Sequence, residues 1–258
     1  MLSLIEIQKF YPQNLHKFKR FLLREYLQYK ILEIIYESGY ANQLIFLGGT
    51  CLRIIYANNR FSEDIDFDNF NLSNKEFLHI SEIIKYRLSK QGFDVEMKNV
   101  FSGAYHCYIR FPRILYDNQL SGYTEEKILI QLDTEAQHFD YVPQTLFLNK
   151  FDVFTTVYTV PKDILLAQKF YALINRKQKK GRDFYDIVFL LKHTSPNLHY
   201  LKQKLSIDNL KDLKKRIFFE LNKTDLKLMA KDVEKFLFNP ADIKMVLLFK
   251  EYINQVLP

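Results

Sequence analysis

Two aspartates separated by one residue, Asp64 and Asp66, are the side chains best suited to chemistry in this sequence. They lie in the segment Asp64-Ile65-Asp66-Phe67-Asp68, whose alternation of polar and apolar residues predicts a strand. Both carboxylates would therefore project from one face while Ile65 and Phe67 face the core. Neighbouring carboxylates repel each other, and a divalent cation between them removes that cost. Mg²⁺ is the candidate, because it takes oxygen ligands and keeps positions open for substrate phosphates.

A third carboxylate lies in a later strand pattern at residues 127–135. Asp133 shares one face of this pattern with Gln131 and Glu135, while Ile130 and Leu132 share the other. An acid within an otherwise apolar strand is costly without a partner. With cations bound, Asp133 could hold one ion and accept the proton of an attacking hydroxyl.

A glycine pair, Gly48-Gly49, follows the apolar run at residues 44–47, and Thr50 is predicted to cap the helix after it. A strand, a glycine turn and a helix N-terminus expose backbone N–H groups that can meet a phosphate. By itself a Gly-Gly pair is usually a turn, and an Asp-x-Asp pair is commonly structural. Their order, with Ser62 before Asp64 and a third acid later, favours nucleotide chemistry.

Hydrophobic periodicity predicts the elements that must position these groups. The predicted strands are 44–47, 64–68, 93–100, 104–111 and 127–135, and the predicted helices in this part are 12–38, one capped by Thr50 and running through Tyr56, and 75–91. Helices alone follow, at 164–176, 184–192, 197–221, 224–237 and 240–256. This order predicts a mixed α/β domain followed by a helical domain, with a boundary near residue 160.

Composition narrows the class of protein. The 258 residues carry 37 Lys+Arg against 30 Asp+Glu, a net charge of +7 that favours polyanionic partners, although a lysine-rich composition has other origins. Two cysteines cannot form a disulfide framework, and no apolar stretch approaches the ~18 residues of a membrane span. We expect a cytoplasmic protein without membrane contact. The six histidines show no metal-ligand spacing and are interpreted as structural or surface residues.

A basic segment runs from Lys169 to Arg182 without an acid. Lys169 lies inside an apolar helix, where its amine either extends to solvent or meets an anion. The lysines at 177–180 are interpreted as a solvated turn. Asp183 and Asp186 share a face of the next helix, and Asp183 alternatively caps it.

Together these segments resemble the AbiEii/AbiGii family of nucleotidyltransferase toxins, within the DNA polymerase β-like superfamily. The matching segments are Leu-Gly-Gly-Thr-x-Leu-Arg (47–53), Arg-Phe-Ser-Glu-Asp-Ile-Asp-Phe (60–67), Gln-Leu-Asp (131–133), Leu-Ala-Gln-Lys-x-x-Ala-Leu-x-x-Arg (166–176) and Arg-Asp-Phe-Tyr-Asp (182–186). The resemblance implies a nucleotidyltransferase core with a mixed sheet over residues 1–160 and a helical domain over residues 161–258. It also implies Mg²⁺-dependent transfer from an NTP to an RNA acceptor, with tRNA the leading candidate. A cognate antitoxin and a role in phage defence follow from the same resemblance.

The resemblance also assigns roles by position. The residues implied to bind the nucleotide are Gly48, Gly49, Thr50, Arg53, Ser62, Lys169 and Arg182. The implied metal ligands are Asp64, Asp66 and Asp133, and these three with Lys169 and Asp186 form the implied catalytic set. Family members often carry Lys two residues before the third acid, where this chain has Gln131. Either Lys127 or Arg182 supplies the missing charge, or activity and nucleotide choice differ.

Two other functions stay open at this point. One is nucleotidylation of a small hydroxylated molecule such as an antibiotic, which an acidic surface around the site would favour. The other is a non-catalytic nucleotide- or RNA-binding module. The complete set of three acids argues against the second, whereas Gln131 slightly favours it.

Overall fold

The computed structural model describes residues 1–258 and divides them into two compact units. Unit 1 comprises Met1–Ile55 and Phe61–Thr159, and unit 2 comprises Tyr56–Arg60 and Val160–Pro258. The short segment at 56–60 thus groups with the C-terminal residues, which no sequence pattern indicates. None of the helices combines the length and apolar character needed to cross a bilayer.

Unit 1 contains five α-helices and seven strands. The helices are α1 (Leu4–Gln8), α2 (Lys19–Tyr36), α3 (Gly48–Ile54), α4 (Asn74–Lys90) and α5 (Ile114–Asp117), with 3-10 turns at Gln13–Phe18 and Ala41–Gln43. The strands are β1 (Leu44–Leu47), β2 (Ile65–Asn69), β3 (Glu96–Ser102), β4 (Ala104–Phe111), β5 (Ile128–Glu135), β6 (Gln144–Lys150) and β7 (Val153–Thr159).

The seven strands form one mixed sheet in the order β3-β4-β5-β2-β1-β7-β6. β2 runs parallel to β5 and β1 parallel to β7, whereas the other neighbours are antiparallel. Residue exposure alternates along β4 and β5: Cys107, Ile109 and Leu132 are buried, while His106 and Asp133 on the other face are partly exposed. This alternation is what a strand with one face on the core produces. The predicted mixed α/β fold is confirmed.

Two strands were not predicted. β6 and β7 form an antiparallel hairpin that pairs Gln144 with Thr159 and Lys150 with Val153. The predicted helix over 12–38 is also divided, because residues 13–18 form a 3-10 turn before α2.

Unit 2 is helical. Its elements are α6 (Lys162–Asn175), α7 (Gly181–Leu191), α8 (Leu198–Leu205), α9 (Leu210–Leu221), α10 (Leu226–Glu234), a 3-10 turn at Pro240–Ile243, α11 (Lys244–Leu247) and α12 (Phe249–Val256). The predicted single helix over 197–221 is two helices, because Ser206 after α8 has a left-handed backbone with φ of 56°. Gly181 lets α7 begin against α10: a Cβ there would lie 2.8 Å from the carbonyl carbon of Met229.

Candidate active site

The first part of the site is the contact between β2 and the glycine turn at which α3 begins. Asp66 lies opposite Leu47 in the antiparallel pairing of β1 and β2. Gly48 has a φ of 78°, in the region that L side chains rarely adopt. A Cβ at Gly48 would lie 2.9 Å from Asp66 Cγ and closer still to Oδ2. The glycine therefore allows the Asp66 carboxylate to approach the N-terminal end of α3.

Replacing Gly48 by Ala is expected to displace Asp66 and, if Asp66 serves the nucleotide transfer that the resemblance implies, to lower that transfer by about 10²-fold, since a shift of roughly 1 Å at a reacting group has that effect. The left-handed backbone adds about 1–2 kcal/mol of destabilisation. Gly39→Ala is the matched control, because Gly39 has a φ of 73° but no atom within 4 Å of an added Cβ. Transfer assays and urea unfolding of both variants separate the two effects. Equal loss of transfer in both would contradict the role of Gly48.

Thr50 does not cap α3, contrary to the sequence-based prediction. The helix begins at Gly48, with Leu47 at the N-cap and no side-chain cap. The Thr50 side chain is fully buried, and its hydroxyl donates a hydrogen bond to the carbonyl oxygen of Asp64. Thr50 thus holds α3 against the residue that precedes β2.

The second part of the site is Asp133 on β5. It pairs in register with Asp66 on β2 and with His106 on β4. Gln131 Nε2 donates to both carboxylate oxygens of Asp133, at 2.8 and 3.0 Å. His106 Nδ1 lies 2.7 Å from Asp133 Oδ1, a hydrogen bond that the Nδ1–H tautomer donates. The third acid is therefore oriented by two side chains, one on its own strand and one on β4.

His106 is a site residue that the sequence interpretation missed. Its spacing to the other histidines carries no metal-ligand signal. The antiparallel register of β4 with β5, which places His106 opposite Asp133, is set by the assembled sheet and not by either strand pattern alone. Gln131, at the position where Lys was expected, supplies a neutral donor to the same carboxylate.

The three predicted carboxylates are of the type that Mg²⁺ prefers, but they are not already arranged around one common point. Asp66 and Asp133 occupy paired positions on adjacent strands, which are about 4.8 Å apart in any sheet, and both offer only oxygen ligands. Asp64 precedes β2 and is partly exposed, like Asp66. No group of three or more His, Cys, Asp or Glu side chains is arranged to hold a metal ion.

Arg53 and Ser62, both implied to bind nucleotide, have partners within unit 1, Arg53 through its guanidinium and Ser62 through its backbone carbonyl. Arg53 Nε lies 2.8 Å from Oε2 of the buried Glu25, and Lys150 Nζ lies 2.9 Å from Oε1. Burial raises the pKa of Glu25, but Arg53 and then Lys150 outweigh it and the pKa lies below its ordinary value. The carbonyl of the buried Ser62 accepts a hydrogen bond from Gln28 at 3.1 Å.

Two further predicted residues, Lys169 and Asp186, belong to an ion-pair network inside unit 2. Arg60 and Asp186 have fully buried side chains and make a bidentate pair, Nε–Oδ1 at 2.7 Å and Nη2–Oδ2 at 2.6 Å. Asn58 Nδ2 donates to the same Oδ1 at 2.9 Å. Lys169 Nζ lies 2.8 Å from Asp186 Oδ2 and 2.9 Å from Asp183 Oδ1. Asp186 is thus surrounded by three donors.

The charges of this network stabilise each other. Burial raises the pKa of Asp186, but Arg60 and then Lys169 outweigh it, and the pKa lies below its ordinary value. Burial lowers the pKa of Lys169, but Asp183 and then Asp186 outweigh it, and the pKa lies above its ordinary value. Both groups are therefore charged at neutral pH. In the sequence Arg60 has no predicted role beyond its place in the segment 60–67, and its pairing with Asp186 is evident only from the structure.

Two interpretations of the basic segment change. Asp183 is not the N-cap of α7, which is Lys180; it lies in the first turn and pairs with Lys169 and Arg176. Lys179 is not a solvated turn residue, because its amine lies 3.0 Å from Glu220 Oε2 and donates to the carbonyl of Leu173. Arg182, in the first turn of α7, is partly exposed.

The fold is shared with solved proteins of Helicobacter pylori. The structure of JHP933 superposes with a TM-score of 0.56 at 18% identity, covering 92% of this chain and 91% of that one. A second H. pylori structure, provisionally described as a nucleotidyltransferase, gives a TM-score of 0.58 at 18% identity, covering 92% and 94%. At this identity the likeness establishes the fold. No curated protein sequence matches the chain significantly.

A family model completes the identification of the class. The model described as "Nucleotidyl transferase AbiEii toxin, Type IV TA system" matches residues 30–246. The chain therefore belongs to the AbiEii nucleotidyl transferase toxin family, as its resemblance to that family indicated. It is a nucleotidyltransferase of a toxin–antitoxin family, for which a cognate antitoxin is the implied partner.

Proposed function

We propose that this protein transfers a nucleotide from an NTP to a hydroxyl of an RNA acceptor, with Mg²⁺ as cofactor, tRNA as the leading acceptor and pyrophosphate as the second product. The observation that carries the proposal is the register of β2 with β5. It places Asp66, at the glycine turn, directly opposite Asp133, which His106 and Gln131 hold in place. Phosphoryl-group chemistry needs such carboxylates on one rigid surface beside exposed backbone amides.

The protein's own groups would act as follows. Asp133 accepts the proton of the attacking RNA hydroxyl, whose oxygen forms a bond to the α-phosphorus as the bond to the bridging oxygen breaks and pyrophosphate leaves. Bound Mg²⁺, held by Asp64, Asp66 and Asp133, would stabilise negative charge on the phosphate oxygens. The backbone of Gly48 and Gly49 is the proposed contact of the triphosphate.

His106 and Gln131 position the base in this proposal. His106 contacts Asp133 Oδ1, and Gln131 donates to both carboxylate oxygens. These hydrogen bonds fix the plane of the carboxylate and leave its remaining lone pairs available. Gln131 carries no charge, whereas relatives often have Lys at this position. Lys127 is not a strong substitute, since its amine is 2.8 Å from Glu96 Oε2. Either Arg182 supplies the charge, or activity and nucleotide choice differ from those of such relatives.

Lys169 and Asp186, both in unit 2, have separate proposed roles. The resemblance implies that Lys169 contacts nucleotide phosphates, and its amine already has two carboxylate partners while 14% of its side chain is exposed. We propose that Asp186 acts as a positioning residue, by holding Arg60 and Lys169, rather than by touching the substrate.

We propose RNA rather than a small molecule as the acceptor, because the chain has a net charge of +7, which favours a polyanionic partner. A cytoplasmic site of action, an antitoxin that blocks transfer, and a role in phage defence belong to the same proposal.

The test is a transfer assay with each of the four α-labelled NTPs, Mg²⁺ and total cellular RNA, alongside a small-molecule fraction. We expect label in tRNA-sized RNA with one or two of the nucleotides, and none when Mg²⁺ is chelated. Asp64→Asn serves as the inactive control. Label only in the small-molecule fraction would contradict the RNA acceptor, and nucleotide binding without transfer to any acceptor would contradict catalysis.

A further inference from the structure

We propose that the open face of β3, β4 and β5 is the surface on which the single-stranded end of the RNA acceptor lies, with a base stacked on Tyr108 and phosphates contacted by Lys98 and Arg110. This inference rests on the proposed function, since it assigns the acceptor to one side of the same site. It names residues outside the segments that resemble the family.

The three side chains share one face of the sheet. Tyr108 on β4 pairs in register with Lys98 on β3 and with Gln131 on β5. Residues paired across strands point to the same face, so Tyr108 stands between a cation and an amide. Arg110 follows two residues later on that face, with its guanidinium carbon 5.7 Å from the centre of the Tyr108 ring.

This face is the accessible one. On the opposite face, Cys107, Ile109 and Phe111 of β4 are buried, and Asn99 of β3 donates a hydrogen bond to Ser81 of α4 at 2.8 Å. That side is therefore covered by the helix layer. On the Tyr108 side, Lys98 is exposed, and Tyr108 and Arg110 are partly exposed.

The face leads directly into the candidate site. His106, two residues before Tyr108 on β4, contacts Asp133, and Gln131 beside Tyr108 donates to the same carboxylate. From β2 to β3 the face crosses four strands, a width of roughly 14 Å at about 4.8 Å per strand. Sheets of this size accommodate two or three stacked nucleotides. A terminal hydroxyl held near Asp133 would thus have its preceding nucleotides over Tyr108.

Two cations of the face are available to contact phosphates. Neither Lys98 nor Arg110 forms an ion pair, whereas Glu96, which lies opposite Arg110 on the same face, pairs with Lys127 at 2.8 Å. The face has a single exposed aliphatic side chain, Leu129, which is 38% exposed, so it lacks the apolar patch on which protein partners depend. An aromatic ring flanked by unpaired cations is the usual platform for unpaired bases.

The experiment measures binding of a fluorescent single-stranded RNA with a tRNA 3′-end sequence, by anisotropy, for wild type and Tyr108→Ala/Arg110→Gln. The matched control is Tyr86→Ala/Lys90→Gln, which removes an exposed pair of the same kind on α4, with the ammonium 5.6 Å from the ring. We expect the first variant to lose about 10- to 100-fold in RNA affinity, with NTP affinity unchanged. The control should bind RNA like wild type. Adding Lys98→Gln should lower the slope of log affinity against log salt by about one further unit.

Unchanged RNA affinity in the Tyr108→Ala/Arg110→Gln variant, or an equal loss in the Tyr86→Ala/Lys90→Gln control, would overturn the inference. Loss of antitoxin binding with unchanged RNA affinity would also overturn it, since the face would then be a protein interface. The proposed function fails in a different way: wild type would transfer no nucleotide to RNA. If wild type labels RNA and both variants label it with the same KM, only the assignment of this face is wrong.

Discussion

Asp66→Ala is expected to lower nucleotide transfer by about 10³-fold or more, with little change in the free energy of unfolding. The lost carboxylate is one of the groups proposed to hold the cation, whose charge stabilisation amounts to several kcal/mol, and each 1.4 kcal/mol is a factor of ten in rate. Stability should change little, because Asp66 is partly exposed and lies opposite another acid, Asp133. Transfer rates and urea unfolding measured on the same preparation check both parts.

Asp68→Ala is the matched control on the same strand. Asp68 is buried, and it accepts hydrogen bonds from the backbone amide of Gln137 at 2.8 Å and from the Tyr141 hydroxyl at 2.7 Å. Its removal should therefore destabilise unit 1 by about 1–3 kcal/mol, because two donors lose their acceptor. Transfer by the fraction that remains folded should be largely retained. If Asp66→Ala kept full activity, or if both variants behaved alike, Asp66 would have no special role in the reaction.

Asp186→Ala is expected to destabilise the protein by about 3–5 kcal/mol, the typical result of removing one partner of a buried ion pair. Arg60 would remain fully buried with its bidentate partner gone, and Lys169 would lose one of two carboxylates. The measurement is the urea midpoint at constant m-value. Asp208→Ala, which breaks the exposed pair with Lys202 in the same unit, should change the midpoint very little.

The same pair gives a pH dependence with a definite sign. Because the pKa of Asp186 is lowered by folding, its contribution is fully present above the ordinary carboxyl pKa of about 4 and is lost as pH falls towards the folded value. The difference in unfolding free energy between wild type and Asp186→Ala should therefore be constant near neutral pH and should narrow below about pH 4. A difference that grows on acidification would show that Asp186 is not held as a carboxylate.

The central strands could be predicted from sequence because their patterns are local. Alternation is clear in Asp64–Asp68 and in residues 127–135, and the glycine pair marks the end of β1. The β6–β7 hairpin was missed because its apolar residues do not alternate cleanly: Phe147 and Phe154 are exposed, while Leu148 and Val157 are buried. Exposed aromatic residues on an edge hairpin carry no core signal that periodicity can detect.

The sequence does not indicate which residues that are distant along the chain contact each other. Asp66 and Asp133 were each recognised, but their exact pairing depends on strand register, which is a property of the assembled sheet. Arg60 and Asp186 are 126 residues apart, and neither local pattern indicates the other. Gly48 was interpreted as part of a phosphate cradle, whereas the structure shows that it also makes room for the Asp66 carboxylate.

Nucleotidyl transfer at the surface that Asp66 and Asp133 share can be followed with one accepted NTP, labelled at the α-phosphate or, in a parallel reaction, at the γ-phosphate, with RNA and either wild type or Asp66→Ala. We expect wild type to place the α-label in RNA and to release the γ-label as pyrophosphate in equal amount, and Asp66→Ala to do neither. Incorporation of the γ-label into RNA, or equal α-label incorporation by both proteins, would contradict nucleotidyl transfer at this surface.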